Sequence, residues 1–239
     1  MWGKKTILVL VLLVLVSAAN ERSVAFNLLN SPNVLAEKFI LTHSEKAPEL
    51  PSPDLLQTAL SGYEILKKEH TIHRQEVITI IDYSLPSNQK RLWVLDLVEI
   101  KVLHHCLVSH GRNSGEIMAE IFSNKPGSYA SSPGFYTTGE TYFGKHGYSL
   151  RLNGIENGIN DKARERAIVM HGADYVSSEF IEKNGRLGRS LGCPAVPEEL
   201  SKEIIETIKD GTCLFVYAPI ENYLSKSPVI SRISSVKKG

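Results

Sequence analysis

The chain has 239 residues, 42% hydrophobic and 22% charged, the balance of an ordinary globular protein with room for a sizeable core. That length suits one medium domain with an extension, or two small domains. With 27 Lys and Arg against 26 Asp and Glu, the formal net charge is +1, so the charge balance gives no support to nucleic acid as a partner.

The N-terminus is the first informative stretch. "MWGKKTILVLVLLVLVSAAN" places two lysines before an apolar run from Ile7 to Val16, followed by Ser17, Ala18 and Ala19. This is the order of a secretory signal peptide, and the run falls short of the about 20 residues that span a bilayer. The reading predicts a signal over residues 1–19, cleavage after Ala19, and export to the periplasm or cell envelope. With no cysteine at the boundary, a lipid anchor is not expected.

Residues 20–75 read as a helical extension with a linker. One helix starts at Ser31 and Pro32, a second at Ser52 and Pro53, and "HSEKAPELPSP" connects them. From residue 76 to 222 the character changes. "EVITIIDYS", "RLWVLDL", "KVLHHCLVSH", "GFYTTGETY", "YSLRL", "RAIVMH" and "TCLFVYA" are short runs rich in β-branched, aliphatic and aromatic residues, separated by turn formers. They predict a mostly β domain. One helix is evident within it, "PEELSKEIIETIKDG", with Leu200, Ile204, Ile205 and Ile208 on one face. Residues 223–239 read as a polar, loose tail.

Three cysteines remain after the signal: Cys106, Cys193 and Cys213. Cys106 and Cys213 lie in apolar runs, as a disulfide or as two buried free thiols. Cys193 stands apart, in "GRLGRSLGCPAVP". Gly192 permits an unusual turn before it, so that the Gly192 and Cys193 amides converge on one oxyanion. Pro194 cannot extend a β ladder, which puts the thiol at a strand end or turn. A thiol nucleophile needs a base. His171 precedes Cys193 by 22 residues, ends the apolar run "AIVM" and is followed by Gly172. Other polar candidates for the cleft are Arg189 and Ser190 beside the thiol, His146 between two glycines, and His110 before Gly111. His104, His105, Cys106 and His110 resemble a metal cluster, but neighbours on a strand point to opposite faces, so no metal site is expected. "GRNSGE" lacks the lysine of a phosphate loop.

The run "HGADYVSSEFIEKNGRLGRSLGCPAVP", together with "IIDYSLPSNQKRLWVLDL", "VSHGRNSG", "FSNKPGSYASSPGFYTTGETYFGKHGYSLRLNGIENGIND" and "GTCLFVY", resembles the murein L,D-transpeptidase catalytic domain family of YkuD-like enzymes. The resemblance runs roughly from Ser52 to Tyr223. It implies a β-sandwich or barrel-like catalytic fold with peripheral helices. It further implies Cys193 as nucleophile, His171 as general base and the Gly172 carbonyl as the group that orients the imidazole, with "SSPGFY" walling the groove. The implied reaction is acyl transfer on peptidoglycan stem peptides through a Cys thioester, with release of terminal D-alanine and with no cofactor. Two other readings stand beside it: an L,D-carboxypeptidase or hydrolase on the same substrate, and a non-catalytic wall-binding module. The chain departs from the family pattern in two places. Leu191 stands where a histidine is usual, and Pro194, Ala195 and Val196 follow the thiol where an arginine is usual, leaving Arg189 or Arg186 to serve instead.

Overall fold

A computed structural model of the chain describes residues 31–43, 50–218 and 220–236. The expected signal and its cleavage point lie outside the described residues, as does part of the expected linker. Two helices come first, α1 (Pro32–Thr42) and α2 (Pro53–Lys68), each with a serine N-cap and proline at its first position. The strands are β1 (Val77–Asp82), β2 (Leu92–Asp96), β3 (Lys101–Cys106), β4 (Gly134–Gly144), β5 (Gly147–Gly154), β6 (Val169–Ala173), β7 (Ala195–Pro197) and β8 (Cys213–Tyr217). Helix α3 (Ser178–Asn184) follows β6, α4 (Glu198–Ile208) follows β7, and α5 (Glu221–Lys226) and α6 (Pro228–Val236) end the described chain.

All eight strands form one sheet in the order β3-β2-β1-β8-β4-β5-β6-β7. The β1–β8 and β6–β7 pairs are parallel and the other pairs antiparallel. The sheet nearly closes on itself. Beyond β3 the chain runs along the free edge of β7, where Ser109 N–H donates to Ala195 O at 2.8 Å. The mostly β, barrel-like architecture expected from the sequence is the one found.

The sheet is covered on both faces, and that explains why "VITIID" and "CLFVY" read as continuous apolar runs without alternation. On the outer face, Ile78, Ile80, Trp93, Leu95, Phe135, Cys213 and Phe215 pack with Phe39 of α1 and with Leu56, Leu60 and Tyr63 of α2. Inside the barrel, Val77, Ile81, Val94, Leu150, Met170 and Leu214 pack against Ile204, Ile205 and Ile208 of α4. Cys106 belongs to the inner core and Cys213 to the outer. The two thiols are buried on opposite faces of one sheet, and all three cysteines are free. Of the two readings of this pair, the structure takes the unpaired one.

The chain ends correct the sequence reading. The segment read as a loose tail forms α5 and α6, and Tyr223, Val229 and Ile233 are buried in the outer core beside α1 and α2. Serines and lysines dilute the apolar spacing there and hid it. A buried carboxylate anchors the segment: Glu156 accepts hydrogen bonds from Phe135 N–H at 2.7 Å, from Tyr223 Oη and from Ser227 Oγ. In the N-terminal extension, α2 lies directly on β4. A Cβ on Gly62 would sit 2.1 Å from Phe135 Cζ, so only glycine permits that approach.

A second buried polar group holds the closing segment. Arg91 has no exposure, and it donates to Val108 O, to Leu85 O and to His110 Nδ1 at 2.9 Å. Arginine can only donate, so Nδ1 must accept, and the His110 proton sits on Nε2, facing Gly115 O at 3.3 Å. Burial, with the Arg91 charge behind it, pushes His110 down to about 4.

Two predictions follow from the packing. Gly62→Ala gains about 1 kcal/mol of helix propensity but forces a 1–3 kcal/mol overpacking against Phe135. The chemical-denaturation midpoint is expected to fall, and a rise would refute the close approach. For His110 the folded pKa lies below the unfolded value of about 6.5, so the unfolded chain binds the extra proton between these limits. Stability is therefore complete above about pH 6.5, and on the order of 3 kcal/mol is lost as pH falls towards 4. His110→Asn should flatten that part of a stability–pH curve; an unchanged slope would exclude His110 as its source.

Candidate active site

His171 lies in the middle of β6, with Ser149 of β5 on one side and Ala195 of β7 on the other. Its ring is almost fully buried, and Nδ1 lies 2.8 Å from Gly172 O. A carbonyl can only accept, so Nδ1 carries the proton and Nε2 is left with its lone pair free. Gly172 is fixed by packing. A Cβ there would meet Ser201 Oγ at 2.7 Å and Glu198 Cα at 3.1 Å, where α4 starts across β6.

Cys193 approaches from the next strand. His171 pairs with Ala195, so the same register carried two residues back places Cys193 beside Val169. A Val169 N–H contact to the sulfur agrees with this. The two Cα atoms are then one strand spacing across and two residues along, about 8 Å apart, a gap that an imidazole and a thiol bridge between them. Cys193 is half-buried, and its Sγ lies 3.8 Å from Ala167 O, towards which the S–H points. Ala167 has φ 54°, and this left-handed residue turns its carbonyl to the thiol.

The loop before Cys193 is laced on both sides. Ser190 N–H donates to His110 O at 3.0 Å and Arg112 N–H to Ser190 O at 2.8 Å. Ser190 Oγ donates to Cys193 O at 2.6 Å and accepts from Gly192 N–H at 3.0 Å. Ser131 Oγ accepts from Gly111 N–H and donates to Gly192 O at 3.2 Å. Gly192 has φ 119°, and a Cβ on it would lie 2.8 Å from Ala130 O.

These bonds revise several sequence expectations. The Gly192 amide is taken by Ser190, so it does not join Cys193 in an oxyanion pair. The Cys193 N–H has no backbone partner among the described residues. Ser190 is buried and acts as an internal staple rather than a substrate contact. Arg189 bonds Glu116 at 2.6 Å and the Arg112 and Gly115 carbonyls, while Arg186 holds the other Glu116 oxygen at 2.8 Å. Both arginines are thus spent on one loop carboxylate. His110 is sealed behind the site with both nitrogens engaged. His146 does reach the site. It sits exposed in the turn of the β4–β5 hairpin and stacks on His171 with ring centroids 4.3 Å apart and planes 22° apart. Leu191 is 54% exposed at the lip. The imidazoles of "HHCLVSH" diverge, with His105 stacked on Trp93 and His110 hydrogen-bonded to Arg91.

Sequence reasoning missed Arg166, Ala167 and Val169, which surround the sulfur. They sit in "RERAIVMH", within five residues of His171, and only the left-handed turn at Ala167 brings them there. Electrostatically, burial pushes the Cys193 thiol up, while the Val169 N–H and the Arg166 charge pull it down. Burial pushes His171 down, the Gly172 carbonyl opposes this, and His146 adds to it. Burial thus favours the neutral form of each, a protonated thiol and an unprotonated Nε2. That arrangement suits proton transfer coupled to attack.

The sequence profile of the YkuD_2 family, described as the L,D-transpeptidase catalytic domain, matches residues 47–217. Among solved structures, the chain is similar to an L,D-transpeptidase from Mycobacterium smegmatis, with 15% identity over 60% of this chain and 59% of that one, at a TM-score of 0.37. It is similar to one from Mycobacterium tuberculosis H37Rv, with 14% identity over 60% and 58%, at a TM-score of 0.38. It is also similar to one from Stackebrandtia nassauensis, with 18% identity over 69% and 66%, at a TM-score of 0.36. The chain spans 59% of the first of these structures and 58% of the second. Among curated proteins no match is found. The assignment rests on the profile, which takes in every strand of the sheet together with His171 and Cys193: the chain belongs to the family of L,D-transpeptidase catalytic domains.

Proposed function

We propose that this domain is a cysteine acyltransferase acting on peptidoglycan stem peptides, and that it works outside the cytoplasm. The observation that supports the reading is the β6–β7 register, which pairs Ala195, two residues past Cys193, with a His171 whose Nδ1 is engaged by the Gly172 carbonyl. The lysine, apolar and small-residue order of the first 19 residues supports export.

In this reading the Cys193 sulfur attacks the carbonyl that joins the L-centre of the stem's third residue to the following D-alanine. The thiol proton passes to His171 Nε2 as the S–C bond forms. Negative charge collects on the former carbonyl oxygen, towards which the Cys193 N–H is free to donate. The C–N bond then breaks, His171 returns the proton to the leaving amine, and a thioester remains. An amine of a second stem converts it to a crosslink; water converts it to a trimmed tripeptide. The Gly172 carbonyl holds the imidazole tautomer through both halves and stabilises the imidazolium between them.

Purified muropeptides incubated with the protein test this directly, with products identified by mass. Crosslinked dimers support the transpeptidase, tripeptides the carboxypeptidase, and unchanged substrate overturns both. Cys193→Ser is expected to lower turnover by roughly 10³-fold or more; retained turnover would remove the thiol from the mechanism. The pH profile offers an independent check. His171 is held below its ordinary value of about 6.5, so the acid limb of kcat/KM should lie below that pH. His146→Ala removes one of the groups that depress it and should move the limb upward. A limb that stays put, or moves down, would exclude the stack from tuning the base.

A further inference from the structure

Arg166 sits in the turn just before β6, and its guanidinium is held from four directions. Nη1 donates to Ser123 O at 2.7 Å and to Ser132 Oγ. Nη2 donates to Ala130 O at 2.6 Å and to Ser128 Oγ at 3.2 Å. All four acceptors are neutral. Among the described residues Arg166 has no carboxylate partner, whereas Arg74, Arg151, Arg164, Arg186, Arg189 and Arg232 each pair with one. The group is half-buried and lies against the residue before the thiol: a Cβ on Gly192 would meet Nη2 at 3.3 Å.

A guanidinium taken partly out of water among neutral acceptors has its hydrogen bonds satisfied and its charge uncompensated. Such a fixed charge is the natural counterpart of an anion that forms only during the reaction, because no reorganisation is needed when it appears. The Cys193 sulfur is that anion's place, and the Arg166 charge opposes the effect of burial on the thiol. Its immobility comes from the arch 123–132, whose carbonyls and hydroxyls fix both terminal nitrogens.

We propose that Arg166 is a positioning residue for negative charge: its guanidinium stabilises the charge that develops on the Cys193 sulfur as the thiol proton moves to His171 Nε2. The inference rests on Cys193 being the nucleophile, as proposed above. It adds that the charge for this step comes from the segment 162–167, not from Arg186 or Arg189 on the thiol's own loop.

The test is the pH dependence of Cys193 alkylation, with the site confirmed by peptide mass. In Arg166→Gln the midpoint should rise by about one pH unit, with an about ten-fold slower reaction at neutral pH. Arg166→Lys should recover most of the difference. Ser132→Ala, which loosens the arch and leaves the charge, should keep the native midpoint. If Arg166→Gln titrates like the native protein, or Ser132→Ala shifts the midpoint equally, the proposal is wrong. The native protein gives a further measurement that needs no variant. A fixed cation favours anionic iodoacetate over neutral iodoacetamide, relative to a free cysteine in solution; a ratio equal to the free one overturns the proposal. Failure of the underlying reading shows itself differently, as turnover that survives Cys193→Ser.

Discussion

The site exists because β7, three residues long, is gripped from both sides. On one side it runs parallel to β6, with Ala195 opposite His171. On the other, Ser109 closes the barrel onto Ala195, and His110 and Arg112 hold Ser190. The strand is too short to fix its own register, and it is the closing segment that does so. Arg91, Tyr83 and His110 lock that segment from inside: Arg91 stacks over the Tyr83 ring and Tyr83 Oη donates to Ser109 O. A slip of one residue would turn every side chain of β7 to the opposite face. The distance between thiol and imidazole is therefore set by the barrel closure.

Strain and glycine are concentrated where this closure meets Cys193. Gly192 and Ala167 both take left-handed φ within contact of the sulfur's surroundings, one giving room for Ala130 O and the other aiming a carbonyl at Sγ. Such backbone states cost of order 1–3 kcal/mol at a non-glycine residue and persist only where the surroundings over-determine them. Here the surroundings are the hydrogen bonds of Ser131, Ser190 and Arg166. The arch 123–132 thus supports the Cys193 loop and the Arg166 side chain at once.

Much of the fold was legible in the sequence because both faces of β1 and β8 are buried, and buried strands announce themselves as unbroken apolar runs. The late helix was equally clear from its isoleucine face. What stayed hidden had no such signal. β7 is too short and proline-bounded to show a period, α3 buries none of its own residues, and the apolar positions of α6 are diluted by serine. In the site, the thiol and the imidazole could be named from their glycine neighbours and from the family resemblance. The roles of Ser190, Arg189 and His110 could not, since whether a polar residue faces a cleft or staples a loop depends on how the chain folds around it, as where Arg189 meets Glu116 from 73 residues away. Arg166 was passed over because its four acceptors come from a loop with no pattern of its own.

The preference for a neutral thiol has a consequence for durability. Oxidants attack thiolates far faster than thiols, and the climb from sulfenic to sulfinic acid soon becomes irreversible. Burial of Cys193, with its S–H turned to Ala167 O, favours the less reactive thiol form. The other two thiols are buried and, like Cys193, are free. On the proposed mechanism, the sulfur gains thiolate character chiefly while a substrate occupies the groove, when the acyl group itself shields it from oxidants.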